Sequence, residues 1–258
     1  MLLDRIDENL FEFYDFAAGA VGRAIARCGA YSYVDLRPSP WTSAVFGLDF
    51  PEGENLPVAL TDGIRAEIIP NKVRVGPTSR PADAETRLLA AGFAAERIAT
   101  GMTMDMHRRN RLQGPPDLML ASLDSQEDYL DFARIVVAEL FGKGAETAPA
   151  FASLLSSMKD MRAFGILGRA RGISASAAFS FIDGAGVGGV YFVATDSRMR
   201  GLGYGGATVS MVLDELDRRS VRFVILHATD LGKPVYERLG FIGACRLPLF
   251  SLPFKGES

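Results

Sequence analysis

The stretch from about residue 188 to residue 219 constrains the fold more than any other part of the chain. An apolar run, GVYFVAT, leads into the turn DSRMRGLGYGG, and a helical pattern follows with Val209, Val212, Leu213 and Leu216 on one face. Glycines let a backbone approach a ligand closely, and the N–H groups of a first helical turn have no helical partner. A strand, a glycine turn and a helix in this order predict a phosphate site.

Other interpretations of the turn are open. The glycines can serve only to allow tight packing, although Arg198 and Arg200 beside them favour a phosphate ligand. Gly201, Gly203 and Gly206 also spell the dinucleotide fingerprint G-x-G-x-x-G. That fold needs a longer run of strands and helices than remains after the turn, and no acidic residue ends the next strand. A Walker loop is excluded, because no Gly-Lys-Ser/Thr follows the glycines.

The turn resembles the acyl-CoA-binding motif R/Q-x-x-G-x-G/A of the GNAT superfamily of N-acyltransferases. One frame of the motif runs from Arg198 to Gly203, and a second runs from Arg200 to Gly205. Members of the family have Val-x-Pro ahead of this motif, whereas this chain has Val-Ala-Thr at residues 193–195. The resemblance therefore lacks the proline but keeps the arginines and glycines.

A second, downstream motif strengthens the resemblance. The family pattern L-Y-x-x-L-G-F is matched by Val235, Tyr236, Leu239, Gly240 and Phe241. The asparagine that often precedes this helix in the family is a threonine here, at position 229. The two motifs cover about residues 191–241, and the predicted order of elements fits the family back to about residue 118.

The resemblance implies an N-acyltransferase that moves an acetyl or other short acyl group from a coenzyme A thioester, with acetyl-CoA as the acyl donor, to an amine by direct attack. Tyr236 matches the family position that protonates the leaving thiolate, and a phenol of pKa near 10 suits that step. Packing against the sheet is the alternative role of Tyr236. The residues implied to contact coenzyme A are Tyr191, Phe192, Val193, Arg198, Met199, Arg200, Gly201, Leu202, Gly203, Tyr204, Gly205 and Thr229.

The general base is less well defined by the sequence. His227, at the end of a predicted strand, is the only histidine of the C-terminal half and is a candidate, because a neutral imidazole can accept the proton of an ammonium. A packed, hydrogen-bonded histidine is the alternative. Asp183 and Asp196 fall in predicted turns and are expected to be solvated. Water often fills this role in the family.

Residues 108–117, RRNRLQGPPD, concentrate charge, glycine and a proline pair and predict a solvated linker. We predict a degenerate GNAT-like or accessory domain at residues 1–110 and an acyl-CoA-binding domain at residues 118–258. The expected fold class is α+β, with two mixed α/β domains. The C-terminal domain is expected to have a mixed, mostly antiparallel sheet flanked by helices. Predicted elements include helices at 8–28, 82–91, 127–141 and 148–158 and strands at 118–122, 163–169 and 173–182.

A weak internal echo links the two halves. LLAAGFAAE, around Gly92 and Phe93, resembles YERLGFIGA, around Gly240 and Phe241, since each reads as a helix, a glycine stop and the start of a strand. A chance recurrence and a degenerate duplication both explain it. The N-terminal stretch that would hold the phosphate turn, FPEGENLPVALTDG, has no arginine and no glycine pair. This half is therefore predicted to shape the acceptor site rather than to catalyse.

Composition limits the remaining possibilities. A net charge of −3 argues against a nucleic-acid partner. The acidic, interrupted N-terminus is unlike a signal peptide, and no apolar run has the length of a membrane span, so a cytoplasmic protein is expected. Cys28 and Cys245 are predicted to be reduced, packed thiols, and no metal site is expected. An acyl-CoA-binding sensor is the alternative function, and the sequence leaves open the amine acceptor and a homodimer.

Overall fold

The computed structural model describes residues 2–41 and 43–253. The first half forms α1 (Arg5–Ala20), β1 (Ala26–Arg27), β2 (Ser32–Val34), β3 (Ala44–Phe46), α2 (Val58–Arg65), β4 (Lys72–Arg74), α3 (Ala84–Ala90) and β5 (Ala94–Asp105). The second half forms β6 (Leu118–Ser122), α4 (Gln126–Leu140), α5 (Ala148–Ser157), β7 (Ala163–Ala170), β8 (Ile173–Ile182), β9 (Gly188–Thr195), α6 (Tyr204–Arg218), β10 (Phe223–Ala228), α7 (Lys233–Leu239) and β11 (Ile242–Ser251).

All eleven of these strands belong to one sheet, in the order β1-β2-β3-β4-β11-β5-β10-β9-β8-β7-β6. The pairs β3/β4 and β9/β10 are parallel, and the other neighbouring pairs are antiparallel. Helices α1, α4 and α5 contribute to the core cluster on one face, and α6 and α7 to a cluster on the other. The predicted mixed, mostly antiparallel sheet flanked by helices is confirmed.

The predicted helix at residues 8–28 is wrong at both ends, because α1 begins at Arg5 and ends at Ala20. Its C-terminal carbonyls are satisfied by the turn that follows: the N–H of Gly22 donates to Gly19 and that of Arg23 to Ala18. Gly22 has a φ of +69°, a conformation that ends a helix. The apolar residues after it suggested a longer helix, but they belong to β1 and its turn.

Helix α1 packs across strands of the second half. Its Phe13 is fully buried, with its ring centroid 4.6 Å from that of Tyr191 and 5.1 Å from that of Phe181. Burying an aromatic side chain of this kind stabilises a fold by about 1.5–3 kcal/mol. A single core cluster therefore contains residues of α1, α4, α5 and β9. Helix α1, from the first half, thus covers one face of the strands of the second half.

The two halves exchange their last strands. Strand β5, from the first half, pairs with β10 from Asp105↔Phe223 to Thr100↔Ala228 and also pairs with β11 along its length. Strand β11, from the second half, pairs in turn with β4. Residues 118–258 therefore do not hold a continuous sheet by themselves, and the predicted division at residues 110–118 stays a prediction.

The exchange is symmetric, and it supports the duplication that the sequence echo suggested. In each half, three neighbouring strands pair first antiparallel and then parallel. These strands are β2-β3-β4 in the first half and β8-β9-β10 in the second. In each half the last helix ends at a glycine of positive φ, Gly92 at +88° and Gly240 at +105°, before the exchanged strand. The two halves share the order of these strands, the parallel or antiparallel sense of each pair, and the glycine that ends the last helix. A chance match of nine residues would not explain all three.

The predicted linker is anchored rather than solvated throughout. The Arg109 side chain is only 9% exposed, and its guanidinium lies 2.6 Å from Asp214 and 3.4 Å from Asp217 of α6. The N–H of Asn110 donates to the Leu239 carbonyl of α7. The segment therefore ties β5 to the two helices that flank the cleft described below. Cys28 is also exposed rather than packed, whereas Cys245 is half-buried; both thiols are free.

Candidate active site

The sheet opens between β9 and β10. Residues 188–190 of β9 pair with residues 224–226 of β10, whereas both strands continue beyond this pairing. The register between β8 and β9 also shifts, since β9 has one residue more than β8 between the neighbouring pairs Ala177↔Ala194 and Phe179↔Tyr191. The extra residue is a β-bulge, which bends its strand and leaves backbone groups unpaired.

Phe192 lies in the bulge and has a φ of +52°. A left-handed conformation costs a non-glycine residue about 1–2 kcal/mol. Tyr191 and Phe192 are consecutive, yet both pack into the α1 face, and Val193 then packs on the α6 face. The bulge thus redirects the end of β9 and turns Val193 toward the opening.

A cleft of about 910 Å³ occupies this opening. It is large enough for a cofactor-sized ligand, since such sites span about 300–1,000 Å³. The end of β9, the glycine turn, the start of α6 and one side of α7 form most of its wall. Its lining residues are Arg97, Leu112, Gln113, Glu139, Leu140, Val193, Ala194, Thr195, Met199, Arg200, Gly201, Leu202, Gly203, Tyr204, Gly205, Gly206, Thr229, Leu231, Gly232, Val235, Tyr236 and Arg238.

The glycine turn presents unpaired N–H groups to the cleft. Residues 200–206 donate no backbone hydrogen bond in the described chain outside regular helix bonding. Gly203 caps the fifteen-residue helix α6 in a left-handed conformation, with φ +86°, and the first turn of this helix has no acidic residue. Free N–H groups and the positive end of the helix dipole both favour an anion here. The turn of residues 200–206 therefore fits a phosphate group, and we call it the phosphate cradle.

The two arginines of the turn have different surroundings. Arg200 lines the cleft and pairs with Glu139 of α4, which also accepts a 2.8 Å hydrogen bond from the N–H of Ser197. Arg198 is 78% exposed, lies outside the lining and pairs with Asp196 at 2.7 Å. Glu139 thus holds the turn from 58 residues away along the chain. Sequence reasoning missed it, since no local motif marks it.

Tyr236 projects from α7 into the cleft with 7% of its surface exposed. Its ring packs edge-on against Phe241, at 6.0 Å between centroids. The described residues give its hydroxyl no hydrogen-bond partner, and the oxygen is not sealed from solvent. Burial raises the pKa of this hydroxyl well above its usual value, so the phenol stays protonated at neutral pH. The protonated hydroxyl is therefore free to donate to a group bound in the cleft.

Most of the residues predicted from the sequence meet at this cleft. Val193, Met199, Arg200, Gly201, Leu202, Gly203, Tyr204, Gly205, Thr229 and Tyr236 line it, whereas Tyr191, Phe192, Arg198 and His227 do not. The Tyr204 side chain is buried, and its hydroxyl donates to Asp117, so only its backbone is placed to meet a ligand. The Thr229 hydroxyl accepts a 3.3 Å hydrogen bond from the N–H of Gly232, which caps α7.

His227 faces α1 rather than the cleft. Its Nε2 lies 3.2 Å from the Ile6 carbonyl, and its ring meets Tyr191 edge-on at 6.2 Å. Burial, together with the positive charge of Arg74, lowers the pKa of His227 to about 4. So weak a base, held away from the lining, is poorly suited to take a proton from an acceptor amine.

The expectation of solvated acids is wrong for Asp183, which is 3% exposed. Its carboxylate accepts hydrogen bonds from the Asn9 side chain and from the N–H groups of Ala185 and Val187. Asn9 in turn accepts a 2.6 Å hydrogen bond from the Tyr191 hydroxyl. This network fastens α1 to the sheet and leaves neither Asp183 nor Tyr191 available as a base.

His227 should instead affect stability. Its folded pKa, about 4, lies below its ordinary value of 6.5, so the unfolded chain binds the extra proton between these pH values. Stability therefore falls as pH drops from 6.5 to 4. We expect His227→Gln to reduce that loss by roughly 2 kcal/mol, less than the full pKa difference implies because the ring is partly exposed. Urea unfolding of both proteins across this range measures the effect, and parallel losses would contradict it.

Among the described residues of the first half, no equivalent glycine turn is present. At the place that corresponds to the glycine turn, between β3 and α2, stands the loop that contains Glu52 and Glu54, both exposed. Helix α2 has only eight residues and receives no side-chain cap. Two carboxylates where the second half has Arg198 and Arg200 disfavour a phosphate. In the described residues, only the second half therefore has a turn that fits a phosphate group at this position.

Comparison of whole structures identifies the fold. The chain superposes on a GCN5-related N-acetyltransferase from Kribbella flavida with a TM-score of 0.73 and 16% identity, covering 97% of this chain and 95% of that one. The chain has the GNAT fold. A GCN5-related N-acetyltransferase from Sphaerobacter thermophilus matches with a TM-score of 0.65 and 20% identity, over 87% of this chain and 78% of the other.

A tandem GNAT protein from the clavulanic acid biosynthesis pathway matches over 95% of both chains, with a TM-score of 0.59 and 16% identity. Its tandem organisation agrees with the repeated strand order in the two halves of this chain. No protein-family model matches the sequence, and no curated protein matches it. Identities this low show the GNAT fold and leave the reaction to the site itself. Among the described residues, no helix is long and apolar enough to cross a membrane.

Proposed function

We propose that this chain is an N-acyltransferase that moves an acetyl group from acetyl-CoA to an amine. One observation carries the proposal: the N–H groups of residues 200–206 and the hydroxyl of Tyr236 face the same cleft, and neither has a hydrogen-bond partner among the described residues. The first feature suits the pyrophosphate of a coenzyme A thioester, and the second supplies a proton to a leaving group. The GNAT fold, reached independently by superposition, supports the same chemistry.

In the proposed reaction the amine lone pair attacks the thioester carbonyl carbon. The new C–N bond forms while charge develops on the carbonyl oxygen, and we assign the stabilisation of that charge to backbone N–H groups at the bulge of β9. One such donor contributes about 3 kcal/mol to barrier lowering. The C–S bond then breaks, the thiolate takes the proton of Tyr236, and the phenolate is reprotonated from water. The proton on the former amine nitrogen leaves to water, since His227 does not line the cleft.

The hydroxyl of Tyr236 also distinguishes an enzyme from an acyl-CoA-binding sensor. A sensor needs only the phosphate cradle, and a hydroxyl that served packing alone would be expected to have a partner in the protein. Here the described residues give the hydroxyl none, although the ring itself is buried. This arrangement favours turnover over binding alone.

The test is thiol release from acetyl-CoA in the presence of a panel of small amines, lysine-containing peptides and peptides with free N-termini. We expect release that depends on the amine, with a mass increase of one acetyl group on the product. The rate should rise with pH as the amine loses its proton. Reactions without an amine, and reactions without protein, are the controls. A rise in melting temperature with acetyl-CoA but no release with any amine would support the sensor instead.

A further inference from the structure

The cleft is positively charged, although the whole chain carries a net charge of −3. Its lining includes three arginines, Arg97, Arg200 and Arg238, and one carboxylate, Glu139. Arg200 and Glu139 pair with each other. The described residues give the other two arginines no ion pair. Since the glycine turn already offers N–H groups to phosphate, the positive charge elsewhere in the cleft requires a separate explanation.

Arg97 comes from the first half of the chain, on β5. Strand β5 pairs with β10 as far as Thr100↔Ala228, so Arg97 lies three residues beyond the end of that pairing. This position is beside the carboxyl end of β10, where the sheet has opened. The glycine turn lies instead at the other wall of the cleft, between β9 and α6. Arg97 therefore borders the part of the cleft on the β10 side rather than the phosphate cradle.

A second arginine, Arg74, lies near Arg97 and adds to the positive charge beside it. Arg74 on β4 and Arg97 on β5 are both register partners of Leu249 on the intervening strand β11. The guanidinium of Arg74 donates a 2.7 Å hydrogen bond to the Tyr14 hydroxyl, which fixes its position. Arg97 makes no such bond to a described residue. Although part of the Arg97 side chain is exposed, partial burial and the charge of Arg74 lower its pKa, and an anion beside it would relieve both effects.

On the basis of the proposed acyl transfer, we propose that Arg97 determines specificity by binding a carboxylate of the substrate beyond the thioester carbon. That carboxylate belongs either to the acceptor amine, as in an amino acid, or to the far end of a dicarboxylic acyl group. A planar guanidinium pairs with a carboxylate through two parallel hydrogen bonds, which suits recognition at an open cleft wall. The first half of the chain would thus supply the substrate contact, and the second half the donor site.

The experiment compares matched amines with acetyl-CoA as the donor: glycine with glycinamide, β-alanine with β-alaninamide, and glutamate with glutamine. In the first two pairs the amide lowers the basicity of the amine, so at neutral pH a larger fraction of the amide member carries a free amine. Glutamate and glutamine share the α-carboxylate and differ only at the side chain. We expect kcat/KM to favour the carboxylate member of at least one pair by about 10- to 100-fold, and Arg97→Gln to remove that preference. Arg97→Lys should restore part of it, because it keeps the charge and loses the paired geometry.

A second arm identifies the source of the carboxylate. It compares succinyl-CoA with butyryl-CoA as donors to glycinamide, and a preference for succinyl-CoA that Arg97→Gln removes assigns the carboxylate to the acyl group. Arg246→Gln is the matched control: it removes the same charge from neighbouring strand β11, at an exposed residue that pairs with Glu85 and does not line the cleft. We expect this variant to keep every preference. An equal effect of Arg246→Gln would mean that net charge, rather than a contact of Arg97, is responsible.

The outcomes separate the two proposals. Transfer to neutral and carboxylate substrates at equal kcat/KM overturns the role of Arg97 and leaves acyl transfer intact. A loss of acetyl-CoA affinity in Arg97→Gln, with no change in preference, places Arg97 at a phosphate and also overturns it. If no amine is acylated, the proposed function fails. NMR titration of the CoA-bound protein with the same pairs then tests the role of Arg97 separately. Binding without a carboxylate preference, or no binding of any carboxylate, overturns the inference.

Discussion

Tyr236→Phe is expected to bind acetyl-CoA within a few-fold of the wild-type affinity and to lose about 100-fold or more in kcat with any amine that is acylated. Removal of a positioned general acid has an effect of this size, whereas loss of one hydrogen bond to a bound substrate weakens affinity by about tenfold. The ring and its contact with Phe241 remain, so the fold is kept. Calorimetric binding and steady-state thiol release, measured on the same preparation, separate the two effects.

Tyr129→Phe is the control for this variant. Tyr129 is also a buried tyrosine, 5% exposed, but it lies on α4 and does not line the cleft. We expect it to keep the wild-type rate. Should Tyr236→Phe acylate amines at the wild-type rate across neutral and alkaline pH, the hydroxyl has no catalytic role. The thiolate would then leave unprotonated or take its proton from water.

Gly203→Asp is expected to abolish coenzyme A binding. The substitution puts a carboxylate at the positive end of α6, where the proposed pyrophosphate would lie, so like charges oppose each other at the cradle. A ligand at one hundred times its dissociation constant stabilises a folded protein by about 2.7 kcal/mol, and we expect this effect of acetyl-CoA on the wild-type protein. The variant should show no such stabilisation in a thermal melt.

Backbone strain is the competing explanation, and Gly29→Asp tests it. Gly29 has a φ of +75°, close to the +86° of Gly203, and a Cβ at Gly29 would meet no atom within 4 Å. It is exposed in the turn between β1 and β2, away from the cleft. We expect both variants to lose similar intrinsic stability and only Gly203→Asp to lose the response to acetyl-CoA. A normal response in folded Gly203→Asp would reject the phosphate cradle.

Sequence alone predicts the local parts of this molecule well. The elements from β6 to β11 follow hydrophobic periodicity closely, and the strand, glycine turn and helix that form the cradle are contiguous in the chain. Its place in a short motif marks Tyr236 as a candidate, and its side chain lines the cleft. Each of these features is encoded within about 50 residues, where spacing and helix signals determine the geometry.

The features that sequence did not predict depend on contacts between distant segments. Glu139 reaches the turn from another helix, Arg97 from another half, and the docking of α1 turns His227 away from the cleft. The exchange of β5 and β11 was also unforeseen, since apolar alternation identifies a strand but not its neighbours. Pairing between remote strands is set by the whole fold, which a local pattern does not describe.

The strand exchange has a consequence for how this protein can change over generations. A truncation or recombination event in residues 108–117 would remove β5 from between β10 and β11 and leave two sheet edges open. The half without a phosphate cradle therefore cannot be discarded, and the two halves must be inherited together. The loops of the first half can change in sequence, but β5 is hydrogen-bonded to a neighbouring strand on each side. Selection for a new substrate can thus act on side chains of β5, such as Arg97, which belong to the half outside the glycine turn.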